Sequence, residues 1–379
     1  MTVIPFYYSE CMQSYSMGRN HPLKPRRLQM TCELLDAYGM FDGTLELRDA
    51  PTADINEVCI THSRDYLETL QALETNSCKN ALMHYGLGTS DNPVFPNILK
   101  TSLVYTGASA QAAQDVIDGS RLAFNIAGGL HHAHRSRAAG FCVLNDCAVA
   151  IHRLKTHYAK VAYIDIDAHH GDGVQELFYS DPNVLTISLH ESGRSLFPGT
   201  GFIAEEGEGE GIGASINLPF ATGTNDPVWL YAWTEAALPI LKAFNPDAIV
   251  LQMGTDAHAL DPLAHLNLSA EGWLQAIRDV AALNRPIVAL GGGGYNLTTV
   301  PRMWALAVSV LSGIELNNDV PVYCRIHDEI PYLKDVAGSL PPVKEDDKVV
   351  NYGKMMTREV QNRFFHKYGI SFEPEISRY

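Results

Sequence analysis

Short apolar runs recur through the middle of the chain, each closed by glycines or by a cluster of polar residues. The clearest are 122–127, 161–166, 184–189, 249–253 and 287–290, with a further run at 214–218 after a glycine-rich stretch. Between and before them lie longer segments with apolar residues at helical spacing, 24–38, 147–156, 228–244 and 271–283. Short apolar strands separated by helices predict a parallel sheet covered on both faces. The fold class expected is therefore α/β, a single doubly wound, mostly parallel sheet flanked by helices. Segment 331–350 is rich in Pro, Asp and Lys and reads as an irregular connector. A short helix at 354–368 should dock onto the domain, so 1–379 is taken as one domain with 351–379 packed on it.

Ligands of open α/β sheets bind beyond the carboxyl ends of the strands. The unusual polar residues fall there. His131 and His132 follow the first run; Asp165, Asp167, His169, His170 and Asp172 follow the second; Asp256 follows 249–253; and Tyr295 follows four glycines after 287–290. Asp165, Asp167 and His169 alternate, so in extended chain they point the same way. Carboxylate and imidazole together suit a divalent cation of zinc type, and Asp256 offers a third ligand from another strand end. Three ligands leave one position for water, the catalytic pattern. Capping of the next helix would need only one carboxylate. The tandem histidines, with Asp165 and Asp172 spare to orient them, fit general acid–base work. The Tyr295 hydroxyl can donate to a developing oxyanion. The run 291–296 matches neither the dinucleotide fingerprint nor the P-loop.

Composition narrows the function. The 379 residues are 46% hydrophobic and carry a net charge of −15, with no basic stripe, which disfavours nucleic-acid binding. Seven scattered cysteines without a C-x-x-C argue against a disulfide framework or a cysteine zinc site. No apolar stretch is long enough to span a bilayer, and the first residues lack a signal-peptide pattern, so a cytoplasmic protein is expected.

The motifs taken together resemble the histone deacetylase family. Gly-Gly-Leu-His131-His132-Ala is followed by Gly140-Phe141-Cys142 through Asn145-Asp146 and by Asp165-Ile-Asp167-Ala-His169-His170-Gly-Asp172-Gly-Val-Gln175. Phe197-Pro-Gly-Thr-Gly201, Gln252-Met-Gly-Thr-Asp256 and Gly292-Gly-Gly-Tyr295 complete the set. The likeness runs from about His21 to Ser312 and is strongest to class I-like bacterial members, the acetoin-utilisation deacetylases among them. It implies an arginase/deacetylase-type fold and hydrolysis of acetyl-lysine amides. Zinc, or Fe²⁺, would be held by Asp167, His169 and Asp256. His132, oriented by Asp172, would act as base and then acid; His131, oriented by Asp165, would stay charged; Tyr295 would stabilise the oxyanion. Gly140, Phe141, Phe197, Leu263 and Gly293 would line the acyl-lysine tunnel, Asp91 would hold the substrate backbone at the rim, and Arg27 would line an acetate exit channel. Structural potassium is implied around Asp165, Asp167, His169, Ser188 and Leu189, and less strongly near Phe178, Asp181 and Val184. Leu263 stands where polyamine-selective members carry a glutamate, which favours acetyl-lysine of proteins or peptides over acetylpolyamines.

Two other readings compete. One is a binuclear manganese hydrolase, for which His258, two residues after Asp256, would be a further ligand; a rim position is preferred for it. The other is an inactive acyl-lysine binding module.

Overall fold

The computed structural model describes residues 3–74, 82–342 and 346–371. Cys78, the connector residues 343–345 and the final 372–379 lie outside them. The other six cysteines are free thiols. Eight strands form the sheet: β1 (Ile4–Tyr7), β2 (Leu45–Arg48), β3 (Leu122–Asn125), β4 (Val161–Asp165), β5 (Val184–Glu191), β6 (Ser215–Phe220), β7 (Ala248–Gln252) and β8 (Ile287–Leu290). Their spatial order is β2-β1-β3-β8-β7-β4-β5-β6, and every neighbouring pair is parallel. The strands β3 to β8 are buried along their whole length, which is why they read as unbroken apolar runs.

Eleven α-helices are present among the described residues: α1 (Arg26–Ala37), α2 (Ile55–Thr61), α3 (Arg64–Glu74), α4 (Ile98–Ile117), α5 (Asp146–Leu154), α6 (Asp172–Leu177), α7 (Asp226–Ala232), α8 (Leu238–Phe244), α9 (Ala270–Ala282), α10 (Thr299–Ser312) and α11 (Asp347–Phe364). No helix is long and apolar enough to cross a membrane among these residues.

Register explains the site. Asn125, Leu290, Gln252 and Asp165, each the last residue of its strand, pair in one row across β3, β8, β7 and β4. Four adjacent strands thus end level, and the loops that leave them start from one line.

Segment 228–244 is two helices, not one. A π-turn, Trp233–Ala237, joins α7 to α8. Pro239 has no N–H to give the Glu235 carbonyl one turn back, and Gln361 of α11 donates to that carbonyl instead at 2.9 Å. The terminal helix also begins earlier than its spacing predicts. Asp346 accepts from the Lys348 N–H at 2.9 Å and so caps α11 within the expected connector.

That connector is tied down by one carboxylate. Asp335 meets Arg302 at 2.6 Å and His258 at 3.0 Å, and accepts from the Ala270 N–H that opens α9 at 2.8 Å. His258 is fully buried here, which corrects its expected rim position. Its partners are Asp335 and Arg302, not a metal cluster. Burial works to raise the Asp335 pKa, but the facing His258 and Arg302 hold it well below the carboxylate range. A depressed folded pKa contributes stability that is present above the unfolded value of about 3.9 and is lost as pH falls below it. Asp335→Ala also leaves Arg302 with less compensation, so it should cost about 2–4 kcal/mol at neutral pH. Urea unfolding at pH 7 and pH 3.5 checks this: the gap between wild type and variant should narrow at the lower pH.

Candidate active site

The loops leaving β3, β4, β7 and β8 converge. Asp167, His169 and Asp256 each offer one donor atom, all within 4.8 Å of one another, and all three are buried. Asp167 comes two residues after β4. Its Oδ2 accepts from Gln252 Nε2 at 2.8 Å and from the Gly293 N–H at 2.7 Å. His169 Nδ1 lies 3.0 Å from Asp256 Oδ2 and 3.2 Å from Asp167 Oδ1. Asp256 reaches in from the loop after β7. Two buried tryptophans fasten that loop, Trp304 donating to the Met253 carbonyl and Trp273 to the Gly254 carbonyl, both at 2.8 Å.

These residues fit a metal cation. Two fully buried carboxylates stand together, and burial with Asp167 repulsion pushes the Asp256 pKa up to about 7. A divalent ion would offset both the burial and the repulsion. Gly293 leaves no room for a side chain beside the cluster: a β-carbon there would stand 2.2 Å from Asp256 Oδ2 and 2.8 Å from Asp167 Oδ2.

The histidine pair sits beside this cluster. His131 Nδ1 bonds Asp165 Oδ2, and His132 Nδ1 bonds Asp172 Oδ1, each at 2.7 Å. The two Nε2 atoms are 3.0 Å apart. Burial opposes a charged His131, but Asp165 and Asp167 outweigh it and raise its pKa to about 9. Burial and the neighbouring His131 hold His132 down at about 4. Two adjacent imidazoles are thereby driven to opposite states.

Residues to which the sequence reading gave no role hold this arrangement; Asn145 and Asp146 stood within the quoted motif, while Tyr163 and His134 did not. The Tyr163 hydroxyl donates to Asp165 at 2.6 Å. Asn145 caps α5 through the Ala148 N–H at 2.9 Å, while its amide donates to the carbonyls of His131 at 3.1 Å and Ala133 at 2.9 Å. Asp146 accepts from the N–H groups of Gly129 and Leu130 ahead of the pair. His134 gives Asp172 a second partner at 3.3 Å and meets Glu176 at 2.5 Å. The motif that contains Asn145 and Asp146, and the capping position of Asn145 just before an apolar helix, were the usable sequence signals.

One cavity is lined by His131, His132, Asp167, Gly140, Phe141, Gly293, Tyr295 and Arg27. Phe197 packs on His132, its ring edge-on with centroids 5.0 Å apart. Tyr295 takes its position from its backbone N–H, which donates to Asp261 at 2.8 Å, and from its ring, edge-on to Phe141. Arg27 donates to the Gly294 carbonyl at 3.0 Å and lies over the Trp304 ring. Behind it an apolar cavity is lined by Met12, Tyr15, Leu23 and Leu28. Leu263 is half-buried two residues past Asp261, and Asp91 is exposed on a separate loop.

The residues expected around potassium divide. Asp165 and Ser188 are cross-strand partners beside the site. Phe178, Asp181 and Val184 lie at the opposite end of β5, where Lys155 already pairs with Asp181.

Comparison with known proteins agrees with this architecture. The histone deacetylase domain matches residues 21–311. The chain is 39% identical over 325 residues to acetoin utilization protein AcuC of Bacillus subtilis, covering 83% of this chain and 84% of that protein. It is 35% identical to human histone deacetylase 1 over 320 residues, 83% of this chain and 66% of the relative. The structure of a histone deacetylase homologue from Aquifex aeolicus superposes with a TM-score of 0.84 at 34% identity, covering 94% of this chain and all of the other. Matched along most of its length in sequence and fold alike, the chain belongs to the histone deacetylase family and is a deacetylase.

Proposed function

We propose that the chain is a zinc-dependent amide hydrolase that removes acetyl groups from lysine side chains of proteins or peptides. The observation that carries this is the cluster of Asp167, His169 and Asp256 beside two carboxylate-paired histidines. Asp167, His169 and Asp256 would hold a divalent ion, which would supply Lewis acidity and lower the pKa of water enough for attack near neutral pH. Fe²⁺ suits the same ligands.

The side chains carry the rest. His132, neutral and held by Asp172, accepts a proton from the attacking water and returns it to the leaving amine nitrogen. His131 stays cationic and balances the charge that develops on the acyl oxygen. The Tyr295 hydroxyl donates to that oxygen; burial and the nearby Asp256 push its pKa well above the ordinary tyrosine value, so it keeps its proton. Gly140, Phe141, Phe197 and Gly293 hold the lysine stem, and Asp91 holds the substrate backbone. Acetate leaves past Arg27 into the apolar cavity behind it. Structural potassium belongs around Asp165, Asp167, His169, Ser188 and Leu189. Near Phe178, Asp181 and Val184 the case is weaker, because Lys155 already supplies positive charge to Asp181.

Leu263 offers no charge to a distal ammonium, which favours acetyl-lysine over acetylpolyamines. A screen of acetyl-lysine peptides and acetylpolyamines, with and without chelator, tests both parts. The peptides should be hydrolysed faster, and chelation should abolish turnover until zinc is restored. Turnover that survives chelation overturns the metal assignment, and faster acetylpolyamine hydrolysis overturns the substrate assignment. One bound catalytic metal per chain separates this reading from the binuclear one.

A further inference from the structure

His21 has no task in the chemistry above, yet it is only 8% exposed at the tunnel mouth. Its ring stands edge-on to Phe141, with centroids 4.4 Å apart. Its Nδ1 accepts from the Leu23 N–H at 3.2 Å, and its Nε2 faces the Asp91 carbonyl at 3.2 Å. One nitrogen must accept and the other must donate, which selects the neutral Nε2–H tautomer. Burial holds its pKa below the ordinary histidine value, against the opposing Asp91 carbonyl. On the wall side Phe141 is itself fixed: the Tyr15 hydroxyl donates to its carbonyl at 2.7 Å, and its ring abuts Tyr295. On the other side the Asp91 carboxylate is exposed and accepts from Ser90 at 3.2 Å.

We infer that His21 is the positioning residue of the substrate rim, tying the Asp91 backbone to the Phe141 wall so that the Asp91 carboxylate meets the backbone of an acylated peptide at a set height. This rests on the proposed role of Asp91 in a deacetylase. Its effect falls on peptide substrates and not on the acyl-lysine stem, because His21 reaches the rim loop and not the reacting atoms.

His21→Phe keeps an aromatic ring against Phe141 and deletes both hydrogen bonds. His21→Gln keeps an amide donor for the Asp91 carbonyl. Both are assayed on an acetyl-lysine peptide and on an acetylated alkylamine that lacks a peptide backbone, and amide hydrogen exchange is followed across 86–95. The phenylalanine variant should raise the peptide KM about fivefold, the weight of one hydrogen bond. Its kcat, and the KM for the alkylamine, should stay within about twofold, since uniform binding alone is lost. Exchange should quicken in 86–95 and not elsewhere, and the glutamine variant should restore most of both effects. Equal KM shifts for the two substrates, or unchanged exchange in 86–95, overturn the inference. The exchange measurement is independent of turnover. An inactive wild-type protein would therefore refute the deacetylase mechanism while exchange still decides whether His21 ties down the rim.

Discussion

Replacing His132 with alanine should lower turnover on an acetyl-lysine peptide by about 10²–10⁴-fold, the usual weight of a positioned acid–base group. Metal content and unfolding midpoint should stay near wild type. Removing one half of a buried pair normally strands the other half at high cost. Here Asp172 keeps His134 as a partner at 3.3 Å, so its charge remains compensated. The candidate metal cluster loses nothing directly, because Asp167, His169 and Asp256, the residues proposed to hold the ion, are all left in place. Steady-state kinetics with elemental analysis on the same preparation checks both halves. Turnover within about tenfold of wild type would assign the proton transfers elsewhere.

Tyr295→Phe should lower kcat by about 10²–10³-fold, the cost of one lost oxyanion donor. KM should change little, because the proposed role of the hydroxyl is to act on charge that appears only in the transition state. The ring should not move. Asp261 holds the backbone N–H, and the ring packs edge-on to Phe141 and to His169, contacts that a phenyl group retains. A crystal structure of the variant would check the ring position. Near-normal kcat, or a loss confined to KM, would remove the hydroxyl from the chemistry.

The strands that carry the site were legible because they are buried on both faces and so appear as continuous apolar runs. β1 and β2 were not. β1 is a short run interrupted by Pro5, and Leu-Glu-Leu-Arg of β2 alternates at the sheet edge where two of its side chains are exposed. Helix α4 escaped for the opposite reason. It is buried nearly all round, so its Ala-, Ser- and Thr-rich sequence has no polar stripe to mark a helical period. Helix α10 carries Pro301 near its start, which reads as a break although the first turn tolerates it. At the site, the groups expected to face the reaction stand on loops that leave adjacent strands and betray themselves by residue type. Their supports do not. Gln252 stands in a quoted motif, but nothing local shows that it reaches Asp167 across 85 positions, and Trp273 reaches a carbonyl 19 positions away from a segment whose sequence is ordinary. His258 shows the converse: its Asp-Ala-His spacing mimics a ligand pair, but burial with Arg302 and Asp335 makes it part of a structural ion network.

Gly140 sets a limit on how this enzyme can be redesigned. A β-carbon there would stand 2.3 Å from the His132 ring and 2.8 Å from Phe197. Across the gap, Phe197 is 41% exposed and answers to no such constraint. Any attempt to retailor the proposed substrate entrance for bulkier or slimmer acyl cargo has one adjustable jaw and one immovable one, so libraries should diversify the phenylalanine and leave the glycine alone.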